Sequence, residues 1–284
     1  MHPMWTPSSK KASGRKFHSS LSIMILNIGC NITLEAQDRV PLSLMLQPQT
    51  GAGQQVTSSV MTVYPQVCLQ DFTDEFGNFC QRTVLSPGTT NITFMGTVDV
   101  SDVMDIAPGT PPTPVEDLPD SVLRYLLPSR YCQSDLFTDT AASYTGGAAP
   151  GYDQVEAIRQ WISKNIEYKY GVSTGSTSAV ETEKSRAGVC RDFAHLGITL
   201  CRALNIPARM VFGYLYQLDP MDLHAWFEAF VGGRWYTFDA TQENPKGNRV
   251  IIGYGRDAAD TAQISEYGPM EVSSQSVWVN LGFQ

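Results

Sequence analysis

Three residues of this chain, Cys190, His224 and Asp239, have the side chains and the order for nucleophilic chemistry. Cys190 lies in the run Ala187-Gly188-Val189-Cys190-Arg191-Asp192-Phe193-Ala194-His195. His224 follows in Leu223-His224-Ala225-Trp226, and Asp239 closes Arg234-Trp235-Tyr236-Thr237-Phe238-Asp239. A thiol that attacks, an imidazole that moves its proton and a carboxylate that orients the imidazole make up a cysteine nucleophile system.

Each residue falls on an element able to present it. From Cys190 to Leu204 there is no Pro, and Phe193, Leu196, Leu200 and Leu204 recur at intervals of three and four, which predicts one helix with an apolar stripe. Asn205 and Pro207 end it. A thiol in the first turn of that helix meets unpaired backbone N–H groups and the positive end of the helix dipole, and both favour the thiolate. The same N–H groups can hold an oxyanion. The competing reading of Cys190 alone is a small buried hydrophobe, the common fate of a free cysteine.

The hairpin tips the balance. Leu223 to Val231 alternates, with His224, Trp226, Glu228 and Phe230 on one face. Gly232-Gly233 reads as a two-residue turn, with Arg234 to Thr241 as the return strand. In that register Val231 faces Arg234, Trp226 faces Asp239 and His224 faces Thr241. Asp239 is then the diagonal neighbour of His224 on one sheet face, about 7 Å away and within side-chain reach. His195 is different: five residues beyond Cys190, it points about 140° away around the helix and reads as a packing residue. Glu228 reads as half of a structural ion pair. His2 and His18 lie in the N-terminal segment.

These residues also carry a resemblance. Gly-Val-Cys-Arg-Asp-Phe-Ala-His-Leu, Asn205-Ile206-Pro207-Ala208-Arg209, Gly213-Tyr214, His224-Ala225-Trp226-Phe227-Glu228 and Trp235-Tyr236-Thr237-Phe238-Asp239-Ala240-Thr241 together resemble the transglutaminase-like superfamily, in particular its bacterial, cysteine-protease-like branch. The match is close over about residues 151–284, and residues 26–100 resemble the small β domain that precedes the core in that branch. The resemblance implies an α+β fold: a papain-like core, with the cysteine helix packed on an antiparallel sheet, behind a small antiparallel β-sandwich domain. It implies Cys190 as nucleophile, His224 as general base and Asp239 as its orienting partner. Related enzymes use an upstream side chain to complete the oxyanion hole, which makes Tyr168 and Tyr170 candidates; packing is the alternative for both. Trp226 is expected to wall the site and keep water from the His–Asp bond, or to belong to the core.

The implied chemistry is acyl transfer on an amide through a thioester. With water as second nucleophile the protein is a peptidase or amidase; with a lysine amine it is a transglutaminase. Hydrolysis is favoured by the branch resembled, by the lack of the extra β domains of the large cross-linking enzymes, and by the lack of a calcium-loop pattern. A non-catalytic peptide-binding module on the same scaffold and a peptide deglycosylase stay open. The deglycosylases usually carry a zinc-binding CxxC pair, and this chain has none.

Composition sets the outer limits. The 284 residues carry a net charge of −8, so there is no basic footprint for nucleic acid. No apolar run reaches the 18 residues of a membrane span. The expected partner is a peptide or protein amide; neither oligomeric state nor substrate is legible. The six cysteines are scattered without a CxxC or a histidine cluster, so no metal and no cofactor is expected. Cys190 and Cys201 lie about 16 Å apart along one helix and cannot bridge, which points to the cytoplasm. Lys10 to Lys16 ahead of Leu21–Leu26 imitates a signal peptide, but Ile23, Ile25, Asn27 and Gly29 run on into Asn31–Glu35 as one alternating strand. The expected division is a disordered extension (1–20), a β sandwich (21–104), a linker with a short helix (105–150) and the catalytic core (151–284). Gln154 to Ile166 is an amphipathic helix expected to back the cysteine helix.

Overall fold

The computed structural model describes residues 23–51, 53–244 and 246–282; the expected extension 1–20, with His2 and His18, lies outside them. Strands β1 (Ile23–Ala36), β2 (Val40–Leu44), β3 (Gln54–Tyr64), β4 (Gln70–Thr73), β5 (Phe79–Leu85) and β6 (Gly88–Ser101) come first. Helices α1 (Asp120–Leu123), α2 (Thr138–Tyr144), α3 (Tyr152–Asn165), α4 (Ala179–Ser185) and α5 (Cys190–Ala203) follow, with the short strands β7 (Glu167–Tyr168) and β8 (Ala187–Gly188) among them. The chain then runs through β9 (Ala208–Leu215), β10 (His224–Val231), β11 (Arg234–Phe238), β12 (Arg249–Gly255), β13 (Ile264–Glu266) and β14 (Met270–Leu281). Among the described residues no helix is long and apolar enough to cross a membrane.

Alternation along β1 buries Leu26, Ile28, Cys30, Ile32 and Leu34, so the strand reading of this segment holds from Ile23 onward. β1 sits inside the sheet β14-β1-β6-β3, and the sheet β13-β2-β5-β4 faces it across a shared core. Two domain limits differ from expectation. Strands β13 and β14 pair antiparallel with β2 and β1, so the C-terminal segment completes the sandwich instead of ending the catalytic core. The physical reason is the free edge of β1, whose backbone groups β14 satisfies while Val279 enters the sandwich core. At the other limit, Cys132, Phe137 and Ala141 are buried with α5, so the second half of the expected linker is core.

The other half is an antiparallel sheet, β11-β10-β9-β12, with α5 against one face. Phe193, Leu196 and Leu200 of α5 meet Ala225, Phe227, Ala229 and Val231 of β10, and α3 backs α5 through Val155, Ile158 and Ile162. The opposite face of the sheet meets the sandwich, whose core takes in Phe212, Tyr214, Val250 and Ile252. Two buried side-chain amides of the sandwich hold β12 from outside. Gln54 accepts from the Ile251 N–H at 2.7 Å and donates to its carbonyl at 2.8 Å. Asn78 does the same to Tyr254, at 2.8 and 2.7 Å. Each amide plays the part of a neighbouring strand, satisfying backbone groups that would otherwise be buried unpaired.

Candidate active site

Cys190 is the first residue of α5. Val189 precedes it with extended backbone, and its N–H donates to Asp192 Oδ2 at 2.8 Å, the return half of a capping box. Asp192 is completely buried, so the helix start is fixed from within. Upstream, β7 pairs in parallel with β8 and sets Tyr168 beside Gly188, two residues before the thiol.

The hairpin has the expected register. Val231 faces Arg234 and Phe227 faces Phe238. Gly232 and Gly233 have φ of 57° and 84°, the left-handed pair that a type I′ turn needs and that side chains resist. The ladder stops at Phe238, short of the Thr241 expected from sequence. Beyond it, Asp239 Oδ1 accepts from the N–H of Thr241 at 3.0 Å and from its hydroxyl at 2.7 Å, and this local turn draws the chain out of the sheet. The diagonal relation survives: His224 Nε2 lies 2.8 Å from Asp239 Oδ2.

Cys190, His224, Tyr168 and Tyr170 line one cavity of about 250 Å3, with Asp219 and Asp222 on its rim. His224 is 2% exposed and Asp239 1%. Burial pulls the imidazole down, but the charge and hydrogen bond of Asp239, with the Cys190 thiol, outweigh it and push His224 up to about 9. Burial likewise opposes the charge on Asp239, yet Arg249, His224 and Thr241 hold its carboxyl well below the usual range. Burial, the Cys190 thiol and the Tyr170 hydroxyl push the Tyr168 phenol up, against a hydrogen bond with the Cys190 backbone. The rings of Tyr168 and Tyr170 meet edge to face at 5.5 Å.

Trp226 does not line the cavity. It is 1% exposed, and its ring stacks on His224 with centroids 6.1 Å apart. Of the two expectations for Trp226, a wall of the site or a part of the core, its burial away from the cavity lining fits the core. His195 is a packing residue: it stacks on Tyr131 and accepts from the Ala258 N–H at 3.1 Å. Glu228 pairs with Arg209 at 2.7 Å. The charged run Arg256–Asp260 closes on itself through an ion pair at 2.8 Å.

Arg249 escaped the sequence reading. Its Nη2 donates to the same Asp239 Oδ2 at 2.8 Å, and its guanidinium lies 4.9 Å from the Trp226 ring centre. No local motif marks it, since it acts from β12 across the sheet.

Residues 138–240 match the sequence profile of the transglutaminase-like superfamily. A solved structure of a candidate cysteine protease from Cytophaga hutchinsonii is 36% identical, with a TM-score of 0.87 over 93% of this chain and 92% of that one. The chain belongs to the transglutaminase-like superfamily. An uncharacterized Mycobacterium leprae protein is 32% identical over 119 residues, which are 39% of this chain and 42% of that protein. An uncharacterized Mycobacterium tuberculosis protein is 33% identical over 145 residues, 43% of this chain and 45% of the relative. The chain thus spans less than half the length of these mycobacterial relatives. The family profile ends one residue beyond Asp239 and leaves out Arg249 and every strand of the sandwich, whereas the likeness to the Cytophaga structure extends over both halves.

Proposed function

We propose that this protein is a cysteine peptidase or amidase acting by acyl transfer. The observation that carries the reading is the His224–Asp239 bond, buried behind a cavity that also exposes Cys190. An imidazolium beside a thiol favours the thiolate, which is the attacking form. Cys190 Sγ adds to the amide carbonyl carbon, and the carbonyl π pair moves to oxygen. The Cys190 N–H and the Tyr168 hydroxyl stabilise that oxyanion. His224 gives its proton to the amide nitrogen, the C–N bond breaks, and an amine leaves a thioester behind. Neutral His224 then takes a proton from water, the hydroxide oxygen bonds to the acyl carbon, and the C–S bond breaks to return the thiolate–imidazolium pair.

Water as the acceptor is supported by the likeness to the Cytophaga candidate protease. One observation favours an amine as the alternative acceptor: the cavity rim carries the carboxylates of Asp219 and Asp222. The substrate in either case is a peptide or protein amide. All six cysteines are unbridged, which supports the cytoplasm as the compartment.

The test is the pH dependence of iodoacetamide labelling on the wild type and His224→Ala, with mass spectrometry locating the label. The expected result is selective labelling of Cys190 well below the pH at which ordinary thiols react, lost in the variant. Labelling of Cys190 no faster than the exposed Cys68 in both proteins would sink the enzyme reading. Peptide libraries with and without a fluorescent primary amine then separate hydrolysis from amine incorporation.

A further inference from the structure

Asp239 Oδ2 serves two cations. His224 Nε2 and Arg249 Nη2 each lie 2.8 Å from it, so they are no more than twice that, 5.6 Å, apart. The Arg249 side chain is 7% exposed, and it is fixed at three further points. Its Nε donates to the Lys246 carbonyl at 3.1 Å, and its plane lies by Trp226, which itself stacks on His224. The third point is β12, held by the sandwich: the Asn248 N–H donates to the Ser101 carbonyl at 3.1 Å, and Gln54 clamps Ile251.

We propose that Arg249 is a positioning residue for the His224–Asp239 pair, placed by the N-terminal sandwich, and that its charge limits how tightly His224 holds a proton. A carboxylate that faced the imidazole alone would favour the imidazolium strongly. That suits attack on the amide but hinders the second half of the reaction, in which His224 must be neutral to take a proton from water. A fixed cation on the same oxygen weakens that hold, because like charges within about 6 Å disfavour one another. It also keeps Asp239 ionised and its oxygen aimed. The sandwich, which contributes no residue to the cavity beside Cys190, acquires a role through β12.

The charged and titratable groups around His224 are Cys190 and Arg191 from α5, Asp219 and Asp222 from the loop before β10, Asp239 after β11 and Arg249 from β12. The phenols of Tyr168 and Tyr170 complete the set. Of these, Arg249 alone is a buried cation bonded to Asp239, so its effect can be isolated by substitution.

The consequence for turnover rests on the acyl-transfer reading, but the test does not. The His224 imidazole is titrated by NMR in the unreacted full chain, its signal assigned by loss in His224→Gln. Arg249→Met, which keeps the apolar stem and removes the charge, is expected to raise the titration midpoint by about one unit. Arg249→Lys, which keeps the charge, should stay within a few tenths of a unit of wild type. Gln54→Ala should shift it in the same direction as Arg249→Met by a smaller amount. A midpoint that stays or falls in Arg249→Met, with the spectrum otherwise folded, overturns the proposal, as does an equal shift in Arg249→Lys. A shift in Arg249→Met with none in Gln54→Ala overturns the part assigned to the sandwich. An inert Cys190 would defeat the enzyme reading and leave this titration standing.

Discussion

His224 Nε2 and Asp239 Oδ2 are 2.8 Å apart because the two-residue turn at Gly232-Gly233 sets the register of their strands. Fifteen residues of chain separate them, and the diagonal of a sheet brings them together. With Nε2 engaged by Asp239, the other ring nitrogen is the one that the proposed reaction would use.

Removing the charge from Asp239 tests that arrangement. Asp239→Asn keeps the shape but takes away the anion that holds the imidazole proton and balances Arg249. Turnover is expected to fall by about 10^3 to 10^4, the scale seen when the orienting carboxylate of a triad becomes an amide. The His224 titration midpoint should fall with it. Stability is expected to drop by about 3 kcal/mol, since a buried guanidinium loses its partner. Turnover within tenfold of wild type would show that Asp239 does not orient the base.

Tyr168 and Tyr170 share the cavity, and Tyr168 is the one that strand pairing sets beside Gly188, two residues before Cys190. Tyr168→Phe is expected to cut kcat by about 10^2 with KM little changed, the effect of losing one oxyanion donor. Tyr170→Phe should stay within a few-fold in kcat. Steady-state kinetics on one amide substrate decide it, and an equal loss in both variants would assign the pair to packing or substrate binding instead.

Gly197 lies midway along α5, where a Cβ would stand 2.4 Å from the Phe227 ring. On propensity alone, Gly→Ala in a helix gains up to about 1 kcal/mol. Phe227 is fully buried in β10, so the contact cannot be relieved without moving helix from sheet. Overpacking of this kind costs about 1–3 kcal/mol and decides the sign. Gly197→Ala is expected to melt at lower temperature and to alkylate Cys190 more slowly, because α5 carries the thiol and β10 the imidazole. Phe227→Leu in the same chain should restore part of both. A higher melting temperature in the single variant would show that the interface yields.

How far the sequence predicts this site depends on the range of each interaction. Cys190, His224 and Asp239 were legible because helix period, strand alternation and a Gly-Gly turn are local rules that together fix directions. Arg249 was not, because its bond to Asp239 depends on the order β11-β10-β9-β12, which no local period encodes. The same holds for β13 and β14: nothing local in their sequences names β2 and β1 as partners, and the segment was expected to end the core. Trp226 was placed on the correct strand face, beside His224, yet which side of the imidazole meets solvent depends on where the sandwich packs.

His195 and His224, both buried, are expected to give stability a maximum near neutral pH. His195 is pushed by burial, then by Arg191 and Arg202, down to about 3 from an ordinary 6.5. Between those values the unfolded chain binds a proton that the folded one refuses, so stability falls as pH drops from 6.5 towards 3. His224 has the opposite sign: held up at about 9, it contributes fully below 6.5, and its contribution is lost as pH rises from 6.5 through 9. Each effect is on the order of several kcal/mol across its window. Denaturant unfolding at stepped pH should therefore peak near pH 6.5. His195→Gln can still accept from the Ala258 N–H but has no proton to bind, so its stability should fall by roughly 3 kcal/mol less than wild type between pH 6.5 and 4. His224→Gln should flatten the alkaline side and leave the acid slope due to His195. Parallel acid slopes in wild type and His195→Gln would mean that His195 takes up its proton in the folded protein, and would refute its role as a neutral packing residue.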